Sequence, residues 1–491
     1  MKLSRIIAAS PRLQVKHGKA IDQIDIAGLT ADSREVKPGF LFAALPGVAV
    51  NGSKFIPAAI ASGAVAVLAP LGEDLSGIDD TITVLSSAAP RRDLALIAAC
   101  FSGAQPATAV AVTGTSGKTS VVEFTRQIFA ACGKQAASLG TIGVVKPDGG
   151  RYGSLTTPDP VSLHRTLAEL AAEGVTHLAF EASSHGLDQH RLDGVALTAA
   201  AFTNLGRDHL DYHTDTEDYF NAKLRLFTEL LGPERTAVIN ADGACSQRVL
   251  EAAKARNQKV ITTGAHGSSL RLLAATKQGF TQQLTIEAAG EVFEVPLPLI
   301  GDYQVENALV AAGLAVATGI APSAAMTALA DLKGVPGRLE IVGETKGGLV
   351  VVDYAHKPEA LQAALAGVRP FVTGKLICIF GCGGDRDRGK RPIMGRIAAE
   401  QADVVIVTDD NPRTEDPASI RAEILAQSPG AREIGDRRAA IEQAINEAGP
   451  GDVVLIAGKG HETGQIVGAT VLPFSDHDVA RNAIAGVNGN G

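Results

Sequence analysis

The segment TGTSGKTS, residues 113–120, carries the residue types that bind a nucleotide phosphate. Gly114 and Gly117 allow backbone N–H groups to turn towards phosphate oxygens, and Lys118 supplies a cation for the β- and γ-phosphates. The hydroxyl of Thr119 suits Mg²⁺. The position six residues before Lys118 is not glycine, so this would be a short variant of the usual loop. The alternative is a turn that contains these residues by chance. A strand before the segment and a helix after it argue against this alternative.

A second polar segment, HLAFEASSHGLDQHR at 177–191, begins with an apolar run. Glu181 is expected at the end of that strand, where its carboxylate oxygens suit Mg²⁺. Ser183, Gln189 and Arg191 are expected on the polar loop that follows. A hydrogen-bonded surface loop is the alternative.

The segment TNLGRDHLDYH, residues 203–213, follows the next predicted strand. His209 stands beside two aspartates and near Asn204, which predicts either metal ligands or caps of the following helix. Lys223, in YFNAKLRLF, would be interpreted as a solvated helix lysine from composition alone.

The segment TDDNPRTEDP, residues 408–417, follows the β-branched run VVIV, so it lies at the carboxyl end of a strand. Pro412 stiffens the chain and disfavours helical geometry before it. Arg413 is therefore presented from a stiff loop to an anion. The alternative is a surface arginine paired with Asp410 or Glu415.

These segments require strands that end at one edge of a sheet. Apolar runs alternate with helical stretches, which predicts parallel sheets covered by helices. The predicted strands are 108–113, 176–180, 197–202, 236–240, 349–353, 375–380, 404–407 and 453–457. The last four end in polar or Gly-rich stretches, and ligands bind outside the carboxyl ends of such strands. The fold class is α/β, with predicted domains at 1–103, 104–336 and 337–491.

The composition limits the function classes. The chain has 491 residues, 45% apolar content and a net charge of −8, which argues against nucleic-acid or membrane-surface binding. The five cysteines, with Cys378 and Cys382 four apart, do not form a zinc spacing, so we expect buried free thiols. The start lacks a signal-peptide core and no apolar run could span a bilayer. We expect a soluble, cytoplasmic monomer.

Ten motifs in order resemble the Mur ligase family, and within it the branch that adds diaminopimelate. They are TGTSGKTS, EASSHGLDQHR, TNLGRDHLDYH, YFNAKLRLF, GDYQVENALVAAGLA, GVPGRLE, VDYAHKPEAL, GCGGDRDRGKRP, DNPR and GKGHE. The resemblance implies a small domain for a uridine nucleotide, a central ATPase and a C-terminal Rossmann-like domain. It implies that meso-diaminopimelate joins the D-Glu side chain of a UDP-N-acetylmuramoyl dipeptide through an acyl phosphate, while ATP becomes ADP and phosphate.

The resemblance also implies roles at the ATPase centre. The implied catalytic residues are Lys118, Glu181, His209 and Lys223. Mg²⁺ would be held by Thr119, Glu181, His209 and Lys223, the lysine being carbamylated by CO₂. The implied ATP contacts are Gly114, Thr115, Ser116, Gly117, Lys118, Thr119, Ser120, Asn307 and Arg338, with residues 353–357 beside the nucleotide. A linker salt bridge is the alternative for Arg338.

The substrate positions follow in the same way. For the nucleotide-linked dipeptide they are Ser33, Thr156, Thr157, Ser183, Gln189, Arg191 and Lys223. Position 31 is alanine, and the loop 45–52 matches only loosely. For diaminopimelate they are Arg386, Asp410, Asn411, Pro412, Arg413, Gly458 and Glu462. In this branch the DNPR arginine grips the carboxylate that lysine lacks, and such a site can reject the analogue by roughly 10⁴-fold.

Three rival functions remain. The lysine-adding ligases of the same family lack the DNPR arginine. Folylpolyglutamate synthase shares the ATPase design but needs a pterin site, which these motifs do not suggest. A non-catalytic nucleotide-binding regulator would not need Glu181, His209 and Lys223 beside the phosphate loop.

Overall fold

The computed structural model of the chain describes residues 1–18, 21–47, 51–75, 77–146, 148–151, 156–210 and 212–488. The chain divides into two compact units. The first unit comprises Met1–Lys118, Thr125–Thr262 and Gly313–Ile320, and the second comprises Thr119–Phe124, Thr263–Ala312 and Ala321–Gly491. Within the described ranges, no helix combines the length and apolar character needed to cross a membrane.

The first unit opens with a five-stranded sheet in the order β1-β5-β4-β3-β2. Its strands are β1 (Gln14–His17), β2 (Gly28–Thr30), β3 (Phe40–Ala43), β4 (Ala66–Pro70) and β5 (Thr83–Ser87). Its helices are α1 (Leu3–Ala9), α2 (Ile56–Ala61) and α3 (Pro90–Ser102). Only β1 runs antiparallel. Leu41 packs in the core of one face and Phe42 in that of the other, because successive strand residues point to opposite faces.

The first unit continues with strands in the order β13-β12-β11-β6-β10-β7-β8-β9. They are β6 (Thr108–Thr113), β7 (Ala136–Gly140), β8 (Gly143–Lys146), β9 (Gly149–Arg151), β10 (His177–Glu181), β11 (Ala199–Phe202), β12 (Thr236–Asn240) and β13 (Lys259–Gly264). The helices are α4 (Lys118–Ala131), α5 (Pro160–Ala172), α6 (Ser184–Asp188), α7 (Thr216–Arg225) and α8 (Ser246–Ala255). β6 lies between β10 and β11 and is parallel to both, with Glu181 opposite Val112 and Phe202 opposite Thr113. Three strand ends therefore meet beside the phosphate loop.

The second unit contains an antiparallel meander and a mainly parallel sheet. The meander is β14 (Leu270–Gln278), β15 (Thr281–Ala288) and β16 (Glu291–Leu297), followed by α9 (Asp302–Ala317) and α10 (Pro322–Leu329). The sheet has the order β17-β18-β22-β19-β20-β21, in which only β17 is antiparallel. Its strands are β17 (Glu340–Thr345), β18 (Gly348–Asp353), β19 (Leu376–Phe380), β20 (Val404–Val407), β21 (Arg432–Glu433) and β22 (Val453–Ala457).

The remaining elements cover this sheet or extend from it. The helices are α11 (Pro358–Val368), α12 (Lys390–Gln401), α13 (Pro417–Leu425), α14 (Arg437–Glu447) and α15 (Asp476–Asn488). A hairpin of β23 (Gly464–Val467) and β24 (Thr470–Pro473) follows β22. The central strands β19 and β22 are apolar along their whole length, because apolar clusters pack on both faces of the sheet and bury both sides of each strand.

The sheets confirm the predicted α/β class. The strands β6, β12, β20 and β22 have the predicted bounds. Ser183, Gln189 and Arg191 were predicted on a polar loop and do lie outside helices and strands, but the residues between Ser183 and Gln189 form the short helix α6. Ser183 caps this helix by accepting a hydrogen bond from the Gly186 backbone. The prediction of buried thiols holds for Cys378 and Cys382, whereas Cys100, Cys132 and Cys245 are half-buried, and all five are free.

Candidate functional site

The phosphate loop is fixed at the end of β6 by the neighbouring strand end. A side chain at Gly114, which has φ +149°, would overlap the Thr203 hydroxyl. That hydroxyl donates to the Ser116 carbonyl at 2.6 Å. The Asn204 side-chain oxygen accepts from Ser116 N at 3.0 Å, and its carbonyl accepts from Thr115 N at 2.9 Å. Asn204 therefore anchors the loop and is not free to cap α7.

The loop opens α4 as predicted. Gly117 occupies the N-cap position with φ +87°, in the left-handed region that glycine adopts readily. Thr119 and Ser120, both predicted ATP contacts, are buried in the first turn. The helix N-terminus adds a partial positive charge that favours a phosphate.

Two lysine side chains converge on one carbonyl oxygen of the loop. Lys118 Nζ donates to Gly114 O and to Thr115 O, both at 2.9 Å. Lys223 Nζ donates to the same Gly114 oxygen at 2.8 Å. The interpretation of Lys223 from composition was wrong, because its side chain is only 1% exposed and reaches inward from α7.

Burial lowers the pKa of Lys223 well below its ordinary value, and the nearby Lys118 cation lowers it further. Lys223 Nζ also lies 4.2 Å from the centre of the Tyr219 ring, one helical turn earlier. Tyr219 bonds to the Thr115 hydroxyl at 3.2 Å, and burial raises the pKa of this tyrosine to about 12. A neutral amine is the form that reacts with CO₂, so this environment favours the predicted modification.

Glu181 ends β10 as predicted, and hydrogen bonds from Thr141, which directly follows β7, hold its carboxylate. Its Oε1 accepts from Thr141 N at 2.7 Å and its Oε2 from the Thr141 hydroxyl at 3.3 Å. A side chain at Gly140 would overlap this carboxylate. The glutamate is 1% exposed, and its oxygens are ligands of the kind that Mg²⁺ takes.

His209 lies on the polar segment after β11. Its backbone has φ +54°, and its Nε2 lies 3.5 Å from Asp208 Oδ2. The ring stacks edge-on against His185 at 4.8 Å. The capping alternative for this segment is wrong, because Asp215 caps α7 by accepting from Asp218 N. One of the two flanking aspartates, Asp211, lies outside the described residues.

Hydrogen bonds connect most of the residues that were predicted to contact the nucleotide-linked dipeptide. Thr157 Oγ1 donates to Glu181 O at 2.9 Å and accepts from the Ser183 hydroxyl at 3.0 Å. Arg191 Nη1 donates to Thr157 O at 2.6 Å, and its Nη2 donates to Gln189 Oε1 at 2.7 Å. This cluster is therefore continuous with the β10 strand end that carries Glu181.

A cavity of about 1020 Å³ lies in the first unit, with Gln189 and Arg191 in its wall. Its other polar lining residues include Asp32, Arg91 and Arg165. Ser33 starts a short 3₁₀ helix beside the wall but does not line it, whereas Ala31 does. In the loop 45–52, residues 48–50 lie outside the described ranges.

The second unit holds the other predicted ATP contacts. Asn307 Nδ2 donates to Gln304 Oε1 at 2.9 Å, and Gln304 Nε2 donates to Arg338 O at 3.1 Å. The guanidinium of Arg338 lies 5.3 Å from the centre of the Tyr354 ring. No linker salt bridge forms between Arg338 and any described residue.

Asp353 ends β18 and is buried. Its carboxylate accepts from Leu339 N at 2.7 Å and from Ala355 N at 2.8 Å. Burial raises the pKa of Asp353 to about 6, although Arg338 and these N–H donors oppose the shift. The carboxylate therefore titrates closer to neutrality than an ordinary aspartate.

The DNPR loop carries Arg413 in a left-handed conformation, with φ +52°. Arg413 Nη1 donates to Gly384 O at 2.9 Å. The predicted alternative of an ion pair is wrong: no described carboxylate reaches Arg413, and Glu415 pairs with Arg391 at 2.9 Å. The guanidinium is thus held by carbonyls, which leaves its charge uncompensated for an anion.

The other residues predicted for diaminopimelate lie at the same strand ends. Asn411 Nδ2 donates to Glu462 Oε2 at 3.0 Å. A side chain at Gly458, which has φ +117°, would come within 2.7 Å of Asp410 Oδ2. Burial raises the pKa of Asp410. Arg386 is exposed and donates to the Asp385 carbonyl at 3.0 Å.

Comparison with known proteins decides the family. Three family models match: Mur ligase family, catalytic domain over 25–104, Mur ligase middle domain over 112–315, and Mur ligase, glutamate ligase domain over 337–460. A relative from Bradyrhizobium diazoefficiens is 55% identical over 489 residues, which is 99% of each chain. The chain belongs to the Mur ligase family.

Two further similarities agree with this assignment. A relative from Brucella melitensis is 57% identical over 464 residues, covering 94% of this chain and 95% of the relative. Both relatives are named UDP-N-acetylmuramoyl-L-alanyl-D-glutamate--2,6-diaminopimelate ligase. A solved structure described by that name has 33% identity and a TM-score of 0.75, covering 98% of each chain.

Some residues of this Mur ligase site were missed from the sequence. Thr141 supports Glu181, and Tyr219 lies one turn before Lys223 on α7. The four-residue spacing of Tyr219 and Lys223 was a signal that both face one direction. Across the described residues, no group of three His, Cys, Asp or Glu side chains could hold a metal, so the predicted set depends on other ligand types.

Proposed function

We propose that the chain joins meso-diaminopimelate to the D-Glu side-chain carboxylate of UDP-N-acetylmuramoyl-L-alanyl-D-glutamate, with conversion of ATP to ADP and phosphate. The observation that carries this proposal is the convergence of Lys118 and Lys223 on the Gly114 carbonyl at 2.9 and 2.8 Å. Simple nucleotide binding requires the loop lysine but not a second, buried lysine. The Mur ligase membership and the names of the relatives support the same reaction.

The first step activates a poor electrophile. A D-Glu carboxylate oxygen attacks the γ-phosphorus of ATP, the bond to the ADP oxygen breaks, and an acyl phosphate forms. Lys118 and the loop N–H groups stabilise the charge of the transferred group. The cluster of Gln189 and Arg191 at the cavity wall holds the dipeptide substrate in line with the phosphate.

The second step forms the amide. A neutral amine of diaminopimelate attacks the acyl carbon and forms a tetrahedral intermediate. Phosphate then leaves with its bonding electron pair, and the amine nitrogen loses one proton to the departing phosphate, which yields the neutral amide. Arg413 and Arg386 would bind carboxylates of the amino acid, while Glu462 would receive an ammonium group. Holding the reactants together could supply roughly 7–11 kcal/mol of the barrier.

The residues present fit Mg²⁺. The Glu181 carboxylate is buried and accepts hydrogen bonds from Thr141. It has room beside Gly140, where any side chain would overlap it. Glu181, His209 and carbamylated Lys223 would hold the ion, with Thr119 as a further predicted ligand. When bound, Mg²⁺ neutralises charge on the transferred phosphoryl group. Carbamylation would also place a negative charge at Lys223, which the nearby Lys118 cation would attract.

We also propose the division at 1–103, 104–336 and 337–491, which the ranges of the three family models support. Because ATP and nucleotide-linked precursors are made in the cytoplasm, we place the reaction there. A monomer stays a prediction, which light scattering after size-exclusion chromatography would test.

ATP hydrolysis with and without the dipeptide substrate separates this proposal from a regulatory role. The ligase reaction requires phosphate release that depends on UDP-N-acetylmuramoyl-L-alanyl-D-glutamate and on the amino acid. Equal ATP turnover with and without these substrates would contradict the proposal.

A further inference from the structure

Lys459 is a buried cation for which the proposed reaction gives no role. It follows β22 in the segment GKGHE, and its side chain is 0% exposed. Its Nζ donates to Asn411 Oδ1 at 3.0 Å and to Glu462 Oε2 at 3.1 Å. An ammonium removed from water is stable only when such partners compensate it. Both partners are residues predicted to contact diaminopimelate.

The bond from Lys459 fixes which end of the Asn411 amide faces the site. Asn411 Oδ1 also accepts from Ile466 N at 2.9 Å, so two donors occupy the oxygen. A flipped amide would direct its NH₂ group at these two donors. The Nδ2 end must therefore point to Glu462, as the 3.0 Å hydrogen bond shows.

The same lysine gives the two oxygens of the Glu462 carboxylate different surroundings. Oε2 accepts from both Lys459 and Asn411. Oε1 takes no hydrogen bond from the described residues, and the side chain is 34% exposed. One oxygen is thus fixed by the protein, while the other has no hydrogen-bond donor among the described residues and could accept from the ammonium group of an amino acid.

Charge balance gives Lys459 a second effect. The buried carboxylate of Asp410 lies in the same cluster, where Lys459 and Arg437 act electrostatically on it. Arg437 is engaged by Asp476, with which it forms a buried ion pair at 2.7 Å. Without the Lys459 cation, the repulsion between the Asp410 and Glu462 carboxylates would be less compensated, so the Glu462 side chain would be displaced.

We propose that Lys459 is a positioning residue of the amino-acid site, which orients Asn411 and Glu462 for diaminopimelate without touching the substrate. This inference rests on the proposed function, because it assigns diaminopimelate to these residues. A structural role alone would change stability and the active fraction, but not the affinity for one of three substrates.

The test measures KM and kcat of K459M and K459R for diaminopimelate, ATP and the dipeptide substrate. K459M has similar length and no donor, and we expect its KM for diaminopimelate to rise at least about tenfold, the equivalent of 1.4 kcal/mol. The other two KM values should stay within about twofold. The matched control is R369Q, which removes an ion pair with Asp403 elsewhere in the second unit and should leave all three KM values unchanged.

K459R keeps the cation and serves if K459M does not fold. Its larger head group displaces the two acceptors, so its KM for diaminopimelate should rise selectively, but less than in K459M. An unchanged KM in K459R, or parallel changes of all three KM values in K459M, would overturn the inference. Failure of the wild-type protein to use diaminopimelate would instead refute the proposed function.

Discussion

Arg413 and Gly384 connect two loops of the second unit through a 2.9 Å hydrogen bond from the guanidinium to the carbonyl oxygen. The hairpin of β23 and β24 fixes the backbone of Arg413, because Arg413 N donates to Ile466 O at 3.0 Å and Gly468 N donates to Arg413 O at 2.7 Å. Backbone and side chain are therefore both placed before any ligand binds. Such preorganisation reduces the entropy lost when a carboxylate is bound.

Replacing Arg413 should affect one substrate selectively. Charge-assisted hydrogen bonds are worth roughly 1.5–3 kcal/mol, so R413A should raise the KM for diaminopimelate about 10- to 100-fold. R413K, which keeps the charge but not the planar fork, should recover only part of the loss. Steady-state kinetics with each substrate varied in turn measure this. Equal effects on the KM for ATP would remove the proposed role.

Lys223 should limit stability while it supports activity. Because the pKa of Lys223 is lower in the folded protein than in the unfolded chain, the unfolded chain binds more protons between these two pKa values. The unfolding free energy therefore rises with pH over that interval. At neutral pH the unmodified lysine is destabilising, so in buffer free of CO₂ the K223M variant should have a higher Tm than the wild type. Lys118 still satisfies the Gly114 carbonyl in this variant. Activity should fall about 10²- to 10³-fold. A lower Tm in K223M would contradict this account.

Carbamylation of Lys223 gives a separate prediction. Wild-type activity should fall in buffer stripped of CO₂ and return when bicarbonate is added, because the neutral amine takes up CO₂ reversibly. The residual activity of K223R should not respond to bicarbonate. Phosphate release in parallel buffers measures this, and ¹³C NMR with labelled CO₂ would detect the carbamate. Wild-type activity that is indifferent to CO₂ would argue against the modification.

Gly140 should be required for catalysis. A methyl group there would overlap the Glu181 carboxylate, and a displacement of about 1 Å can reduce a rate roughly 10²-fold. G140A should therefore lower kcat by about that factor and raise the Mg²⁺ concentration needed for half-maximal rate. G77A is the matched control, since a methyl group at Gly77 meets no atom within 4 Å. Normal Mg²⁺ dependence in G140A would exclude Glu181 as a ligand.

Asp353 should make the ligand-free protein less stable as pH rises. Its native pKa of about 6 exceeds the unfolded value of about 3.9, so between these values the native state binds more protons. The unfolding free energy then falls with rising pH, by up to about 3 kcal/mol. Urea denaturation of the wild type and D353N at pH 4 and pH 7 measures this contribution. A wild-type advantage over D353N that grows towards pH 7 would contradict it.

The apolar strands and the ligand-bearing strand ends could be predicted from the sequence. The four β-branched residues VVIV form β20 between the bounds that their pattern indicates. The meander β14–β16 was missed, although β15 alternates fully buried residues with less buried ones in the manner of a strand that has one face on the core. The short Ala-rich strand β7 carries little β-propensity and is defined by its pairing with β10.

Buried lysines show what sequence patterns omit. Lys223 and Lys459 are 1% and 0% exposed, yet apart from the spacing of Tyr219 and Lys223 their neighbours along the chain do not distinguish them from solvated lysines. Their burial follows from tertiary partners, Gly114 for one and Asn411 for the other. The resemblance to the family identified Lys223, whereas only the structure identifies Lys459.

The central claim is that the site accepts diaminopimelate and rejects lysine through Arg413. The most direct measurement is phosphate release with UDP-N-acetylmuramoyl-L-alanyl-D-glutamate, ATP and Mg²⁺, with meso-diaminopimelate or L-lysine in parallel reactions. We predict strong turnover with diaminopimelate, little with lysine, and loss of this preference in R413A. Comparable turnover with lysine in the wild-type protein would contradict the claim.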